Sequence, residues 1–154
     1  MYIIEDTRNK PGKHDIKNGC FTNMGISVIR SKLPFGDYSI PPKVAVDTKK
    51  GLEEIAGNIC GSRKEHERFK RECVNARDAG CKLFFLIEND CGISSIDDVH
   101  MWVNPNCVFH PECVQGERLE KAMKTMQERY GCRFLFCSQE ESAQKIVEIL
   151  SGGD

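Results

Sequence analysis

Residues 81–87 read C-K-L-F-F-L-I, an almost unbroken apolar run that stops at Glu88-Asn89-Asp90. A run of this kind is the signature of a central strand buried on both faces. It commits the chain to a sheet with cover above and below, and the periodicities around it supply that cover. Over residues 64–79, Phe69, Cys73, Ala76 and Ala79 fall along one side of a helix, charged residues fill the rest, and Gly80 caps it.

The remaining elements follow the same logic. Tyr2-Ile3-Ile4 followed by Glu5-Asp6 reads as a first strand ending in acids, and residues 7–12 as a polar turn. Residues 13–24 fit a helix with Ile16, Cys20, Phe21 and Met24 at roughly helical spacing. Residues 26–33 alternate like a strand, and Pro34-Phe35-Gly36 turns the chain. Gly51 opens a helix with Leu52, Ile55 and Ile59 on one face. Residues 91–116 are long and irregular. Residues 118–130 form a helix capped by Gly131, and 133–137 a last strand. Ser138 with Glu141 makes a capping box for a final helix over 139–150, before a Ser-Gly-Gly-Asp tail. The order β-α-β-β-β-α-α-β-loop-α-β-α predicts an α/β domain. Its mixed sheet would be flanked by helices, parallel in the second half, with an antiparallel meander over 27–48.

Length and composition agree with this outline. A chain of 154 residues, 40% apolar and 29% charged, fits one globular domain over residues 1–154. No run of about 18 apolar residues is present, and the N-terminus lacks the pattern of a signal peptide, so a soluble cytoplasmic protein with no membrane contact is expected. The nine cysteines, several in apolar runs (Cys81, Cys132, Cys137), read as free thiols in a reducing compartment. The net charge of −1 hides an asymmetry: residues 1–77 hold 15 Lys and Arg against 10 acids, and residues 78–154 hold 7 against 13. The first half is therefore able to present a basic face to nucleic acid, although ordinary solvated surface accounts for the same charges.

The chemistry concentrates in residues 36–50, G-D-Y-S-I-P-P-K-V-A-V-D-T-K-K. Val44, Ala45 and Val46 form a short strand after the Pro41-Pro42 break, and residues two apart on a strand share a face. Asp47 and Lys49 then point together, Thr48 points away, and Asp37 from the preceding segment is able to join them. Two carboxylates suit Mg²⁺ or Mn²⁺, and a lysine suits the orienting of an attacking water. A bland alternative makes Asp37 a turn residue and Lys49 a surface lysine. Asp6 is a third candidate metal ligand or a partner of Arg8. Glu53 is a fourth, or an i,i+4 partner of Lys49. Arg8, Lys50, Arg63, Lys64 and Arg68 are candidate DNA contacts or plain surface charges. Cys107, His110 and Cys113 form a cluster in the irregular segment whose ligand chemistry fits a structural Zn²⁺, although its spacing is not that of a standard finger.

These residues resemble the nuclease domain of the XPF/ERCC-type structure-specific endonucleases, within the PD-(D/E)XK superfamily. Gly36-Asp37-Tyr38 stands at the family's G-D, Asp47-Thr48-Lys49 at its E-R-K, and Glu53 at the acid four places on. Asp6-Thr7-Arg8 stands at its D-x-R, and the strand ending in Glu88 at its apolar strand. The resemblance implies a restriction-endonuclease-like fold and a metal-dependent DNA endonuclease acting on branched or flap DNA. Asp37, Asp47 and Lys49 would be catalytic, and Asp37, Asp47, Asp6 and Glu53 would hold the metal. Two departures stand out. Thr48 replaces the triplet's arginine, and the chain ends where family members continue into tandem helix-hairpin-helix motifs. The expectation is a stand-alone nuclease domain that pairs as a homodimer or works with a partner. The alternatives are a non-catalytic DNA-binding scaffold subunit and a restriction-type or Holliday-junction nuclease of the same superfamily.

Overall fold

The computed structural model describes residues 1–40 and 43–152; the Pro41-Pro42 break and the last two residues of the expected tail lie outside them. Strands are β1 (Tyr2–Asp6), β2 (Ser27–Ser31), β3 (Tyr38–Ile40), β4 (Val44–Lys49), β5 (Lys82–Glu88) and β6 (Arg133–Cys137). Helices are α1 (Asp15–Asn23), α2 (Leu52–Cys60), α3 (Arg63–Asp78), α4 (Gly116–Tyr130) and α5 (Ser142–Leu150). Two 3-10 turns, Ile96–Met101 and Pro105–Val108, lie in the irregular segment. The element order is the expected one. Among the described residues no helix is long and apolar enough to cross a membrane.

The strands form one mixed sheet in the order β2-β1-β3-β4-β5-β6. β5 lies between β4 and β6, parallel to both, and its residues from Leu83 onward are buried. The antiparallel part is not the expected meander. β1 enters between β2 and β3, parallel to the first and antiparallel to the second, and β3 runs antiparallel to β4. The connection from β2 to β3 therefore passes over a neighbour, which local alternation cannot reveal.

Successive side chains of β4 and β5 point to opposite faces. Ala45, Phe85 and Ile87 pack with Leu52, Ile55, Phe69, Leu119 and Met123 under α2, α3 and α4. Val46, Phe84 and Leu86 pack with Ile3, Phe21, Ile146 and Ile149 under α1 and α5. On the first face Phe85 stacks on Phe69 with ring centroids 4.5 Å apart and on Phe134 at 5.5 Å. This aromatic column fixes β5 against α3, with Phe85 the register partner of Asp47 on β4.

Three local expectations need correction. The apolar side of α1 is not the one that faces the sheet: Ile16 is 75% exposed and Met24 40%, and Phe21 is the helix's one fully buried side chain. His14 at its N-terminus and Lys17, Asn18 and Phe21 within it share the inward face, because residues three and four apart stack on a helix. The Ser138–Glu141 box is present, with the Glu141 N–H donating to Ser138 Oγ at 3.3 Å and the Ser138 N–H to Glu141 Oε2 at 3.0 Å. It closes a turn ahead of α5, which starts at Ser142. Cys107 and Cys113 are joined as a disulfide and His110 is exposed. The expected zinc ligands are thus bonded to each other rather than free as thiolates, and seven cysteines, not nine, are free.

Candidate active site

Gly36 sets the entry to the site. Its φ of +69° is ordinary for glycine alone, and a Cβ there would lie 2.9 Å from the Val46 carbonyl oxygen. That close approach lets the Asp37 N–H donate to the Val46 carbonyl at 2.9 Å, seating Asp37 beside the end of β4. The Gly36 N–H donates to Glu72 Oε1 of α3 at 3.3 Å, so a third acid reaches the same place.

Asp47 and Lys49 point to one side of β4, as the strand period requires. Lys49 Nζ lies 2.7 Å from Asp47 Oδ2, and the two side chains are only 10% and 13% exposed. The ammonium also stands 5.6 Å above the Phe85 ring. Thr48 turns the other way and contacts Asp37: its hydroxyl donates to Asp37 Oδ2 at 2.8 Å and its N–H to the same oxygen at 3.0 Å.

The two acids are tuned apart. Burial would raise the Asp37 pKa, but the Thr48 hydroxyl and N–H, with the Lys13 ammonium nearby, outweigh it and hold the carboxyl below its usual value. Burial pushes the Asp47 carboxyl up; Lys49 pulls it down, and the neighbouring Asp37 and Glu72 charges push it up again. Lys49 is raised despite burial, because Asp47 stands against it, so it remains an ammonium. It therefore acts as a donor and a positive charge.

Asp6 lies beside Asp37, its N–H donating to the Asp37 carbonyl at 2.8 Å, with its carboxylate turned to other partners. The Asp6 carboxylate accepts from the Arg8 side chain and from the N–H groups of Arg8 and Leu33, the pairing that Arg8 offered from the sequence. Glu53 is exposed on α2, and its neighbour Glu54 accepts the Lys50 N–H at 2.8 Å. Arg8, Lys50, Arg63, Lys64 and Arg68 are all exposed. Lys50 lines a cleft of about 750 Å³ at the ends of β4, β5 and β6, together with Thr48, Lys49, Lys13, His14 and Lys17.

Sequence reasoning missed four residues here. Glu72 sits on a helix face that reads as solvated. Lys17 Nζ lies 2.6 Å from Glu88 Oε1, and Ser142 donates to the same oxygen at 2.7 Å, a buried network tying α1 and α5 to β5. His14 and Lys17 shared their signal with Phe21, through the i, i+3, i+7 spacing that Ile16 and Met24 obscured.

The sequence matches the ERCC4 domain family over residues 5–150. The chain belongs to the ERCC4 domain family. No curated protein matches it. Two solved structures share the fold of this ERCC4 domain. One is XPF from Aeropyrum pernix, with a TM-score of 0.69 and 17% identity, covering 97% of this chain and 63% of that one. The other is XPF from Aeropyrum pernix in complex with DNA, with a TM-score of 0.67 and 17% identity, covering 97% and 62%. The chain thus spans less than two thirds of the XPF chains that it superposes on. The mixed six-stranded sheet with helices on both faces is the fold that the sequence resemblance implied.

Proposed function

We propose that this ERCC4 domain is a divalent-metal-dependent DNA endonuclease that hydrolyses a phosphodiester at branched or flap structures. The observation that carries the reading is the Asp47–Lys49 pair at the end of β4, with Asp37 seated beside it by Gly36 and Thr48. Residues 1–154 are read as one nuclease unit that is soluble and works as a homodimer or beside a partner.

The donor set fits a hard cation. Asp37 and Asp47 offer carboxylate oxygens, and the buried, proton-favouring Asp47 carries a negative charge that a cation would relieve. One or two carboxylates suit Mg²⁺ or Mn²⁺, which keep several of their own waters. When bound, such an ion polarises the phosphoryl group and favours ionisation of a water. Thr48 holds the Asp37 carboxylate in one orientation. Lys49, an ammonium fixed by Asp47 and Phe85, directs its remaining protons toward the incoming water or a phosphoryl oxygen, where negative charge grows.

The test is a Mg²⁺-dependent nick in labelled flap and fork duplexes, alongside linear DNA, with Asp47→Ala and Lys49→Ala as controls. Loss of nicking in both variants supports the assignment. Equal behaviour of wild type and variants sinks it. DNA retention without nicking on any substrate favours a scaffold subunit.

A further inference from the structure

Within the sheet β1, β2, β4, β5 and β6 run in one direction, and β3 alone runs against them. Their C-terminal ends therefore form one rim of the sheet, where Asp37, Asp47 and Lys49 also stand and where open α/β sheets ordinarily bind ligands. Charge is unevenly divided along this rim. Residues 7–13, after β1, and 30–33, at the end of β2, hold Arg8, Lys10, Lys13, Arg30 and Lys32 and no acid. Residues 88–90 and 138–141, at the ends of β5 and β6, hold Glu88, Asp90, Glu140 and Glu141 and no cation. Lys17 balances Glu88, but the other three acids make no ion pair among the described residues. The candidate catalytic group, on β4 and just before β3, lies between the two regions in the strand order.

The basic segments are joined into one surface. The Thr7 N–H donates to the Ser31 carbonyl at 3.2 Å, Arg8 Nη2 to the Leu33 carbonyl at 3.0 Å and Arg30 Nη2 to the Asn9 carbonyl at 2.6 Å. The surface adjoins the candidate site, because the Asp6 N–H donates to the Asp37 carbonyl and the Lys13 charge helps to lower the Asp37 pKa. All five cationic residues are exposed. Arg8 and Arg30 are partly committed, to Asp6 and to Glu5, but Lys10, Lys13 and Lys32 make no ion pair among the described residues. Lys13 reaches only the neutral Asn9 Oδ1, at 3.2 Å. An ordinary solvated surface mixes both signs, as α3 does with Glu65, Glu67 and Glu72 among its lysines and arginines. Unpaired ammonium groups gathered on one surface repel each other and gain from a polyanion. We propose that the β1–β2 part of this rim is the DNA track: phosphates on one side of the cleaved bond lie across Lys10, Lys13 and Lys32, and the acidic β5–β6 part repels DNA on the other side. The inference rests on the endonuclease reading for its ligand and adds the direction in which DNA leaves the site.

The experiment measures binding of the full chain to a fluorescein-labelled fork duplex by anisotropy over a KCl series, in EDTA so that nothing is cut. Wild type is compared with the variant Lys10→Gln/Lys13→Gln/Lys32→Gln. A second variant, Lys43→Gln/Lys82→Gln/Arg133→Gln, removes as many charges from exposed residues at the opposite ends of β4, β5 and β6. In the first variant the slope of log Kd against log[KCl] is expected to fall by about three, roughly one for each lost phosphate contact. Its Kd at low salt rises on the order of ten- to a hundredfold. The second variant keeps the wild-type slope. Lys10→Gln and Lys32→Gln alone each lower the slope by about one, and they carry the test if the triple variant melts early. Equal loss of slope in both triple variants reports net charge only and overturns the proposal, as does an unchanged slope in the first. Methylphosphonates placed on one side of the mapped nick weaken wild-type binding, and those on the other side do not; equal weakening from both sides contradicts a one-sided track. A wild type that binds no DNA overturns this proposal and the endonuclease reading together. The expected slopes without Mg²⁺-dependent nicking leave the DNA surface standing and overturn the endonuclease reading alone.

Discussion

The Thr48 hydroxyl donates to Asp37 Oδ2 at 2.8 Å, and the Thr48 N–H reaches the same oxygen. Thr48 occupies the place where the resembling triplet has arginine. Its hydroxyl fixes one oxygen of Asp37 and so supports the site.

That support is measurable. Thr48→Val keeps the shape and the backbone donor but removes the hydroxyl, a hydrogen bond to a charged acceptor worth roughly 1.5–3 kcal/mol. The half-saturating Mg²⁺ concentration for nicking is expected to rise about tenfold, as a loss of about 1.4 kcal/mol gives. Thr48→Ser restores it. A Mg²⁺ titration of initial nicking rates checks this, and identical half-saturation in all three proteins would show that Asp37 orientation does not depend on Thr48.

Gly36→Ala tests the turn that seats Asp37. The alanine would need φ near +69° and a Cβ 2.9 Å from the Val46 carbonyl, so either β3 shifts from β4 or the backbone strains. The expected cost is about 1–3 kcal/mol in urea unfolding. Nicking should fall further than stability, since the Asp37 N–H to Val46 bond is lost with the turn.

Local pattern carried most of the element order, and it carried Asp47 and Lys49, because strand period alone puts those two on one side. It did not carry pairing. That β1 lies between β2 and β3 depends on which backbone edges meet, and side-chain alternation is blind to that. Nor did it carry the face of α1: of the apolar residues at helical spacing Ile16 and Met24 are exposed, while Phe21 anchors the helix, and its spacing brings His14 and Lys17 inward. Glu72 was illegible for a related reason, since a charged residue on a charged helix face looks the same whether it meets water or the Gly36 N–H. Glu53 stands at the expected spacing after Lys49 and is exposed on α2.

The opposed shifts of the two acids predict how pH acts on the metal-free fold. The Asp47 pKa is raised above its unfolded value of 3.8, so its contribution to stability is full below that value and is lost as pH rises through its folded pKa. The Asp37 pKa is lowered, so its contribution is present above 3.8 and is lost as pH falls through its folded value. His14, whose pKa is lowered chiefly by burial, adds stability as pH rises toward its ordinary 6.5, so the Asp47 contribution is read as the difference between wild type and Asp47→Asn. In EDTA, the melting temperature of wild type relative to Asp47→Asn is expected to decline as pH rises from 5 to 8. Mg²⁺ is expected to offset the decline, and its affinity is expected to rise over the same range as the Asp47 proton leaves. Thermal unfolding of both proteins with and without Mg²⁺ decides it; a metal-free wild type that gains stability relative to Asp47→Asn as pH rises would contradict the assignment of Asp47 as the proton-favouring acid.

Phe85 links the core to the site, because its ring both anchors the aromatic column and lies beneath the Lys49 ammonium. Phe85→Ala opens a cavity between Phe69 and Phe134 and is expected to cost about 3–5 kcal/mol. That is a large share of the roughly 5–15 kcal/mol typical of a whole domain. Phe85→Leu keeps most of the volume and separates the two roles. Its stability loss should be smaller, but without the ring face Lys49 loses a cation–π contact worth about 0.5–2 kcal/mol. The ammonium is then held by Asp47 alone, and kcat should fall severalfold while KM for DNA stays near its starting value. Chemical denaturation together with single-turnover nicking measures both. A Phe85→Leu protein with lowered stability and unchanged kcat would assign Phe85 to packing only and leave the orientation of Lys49 to Asp47.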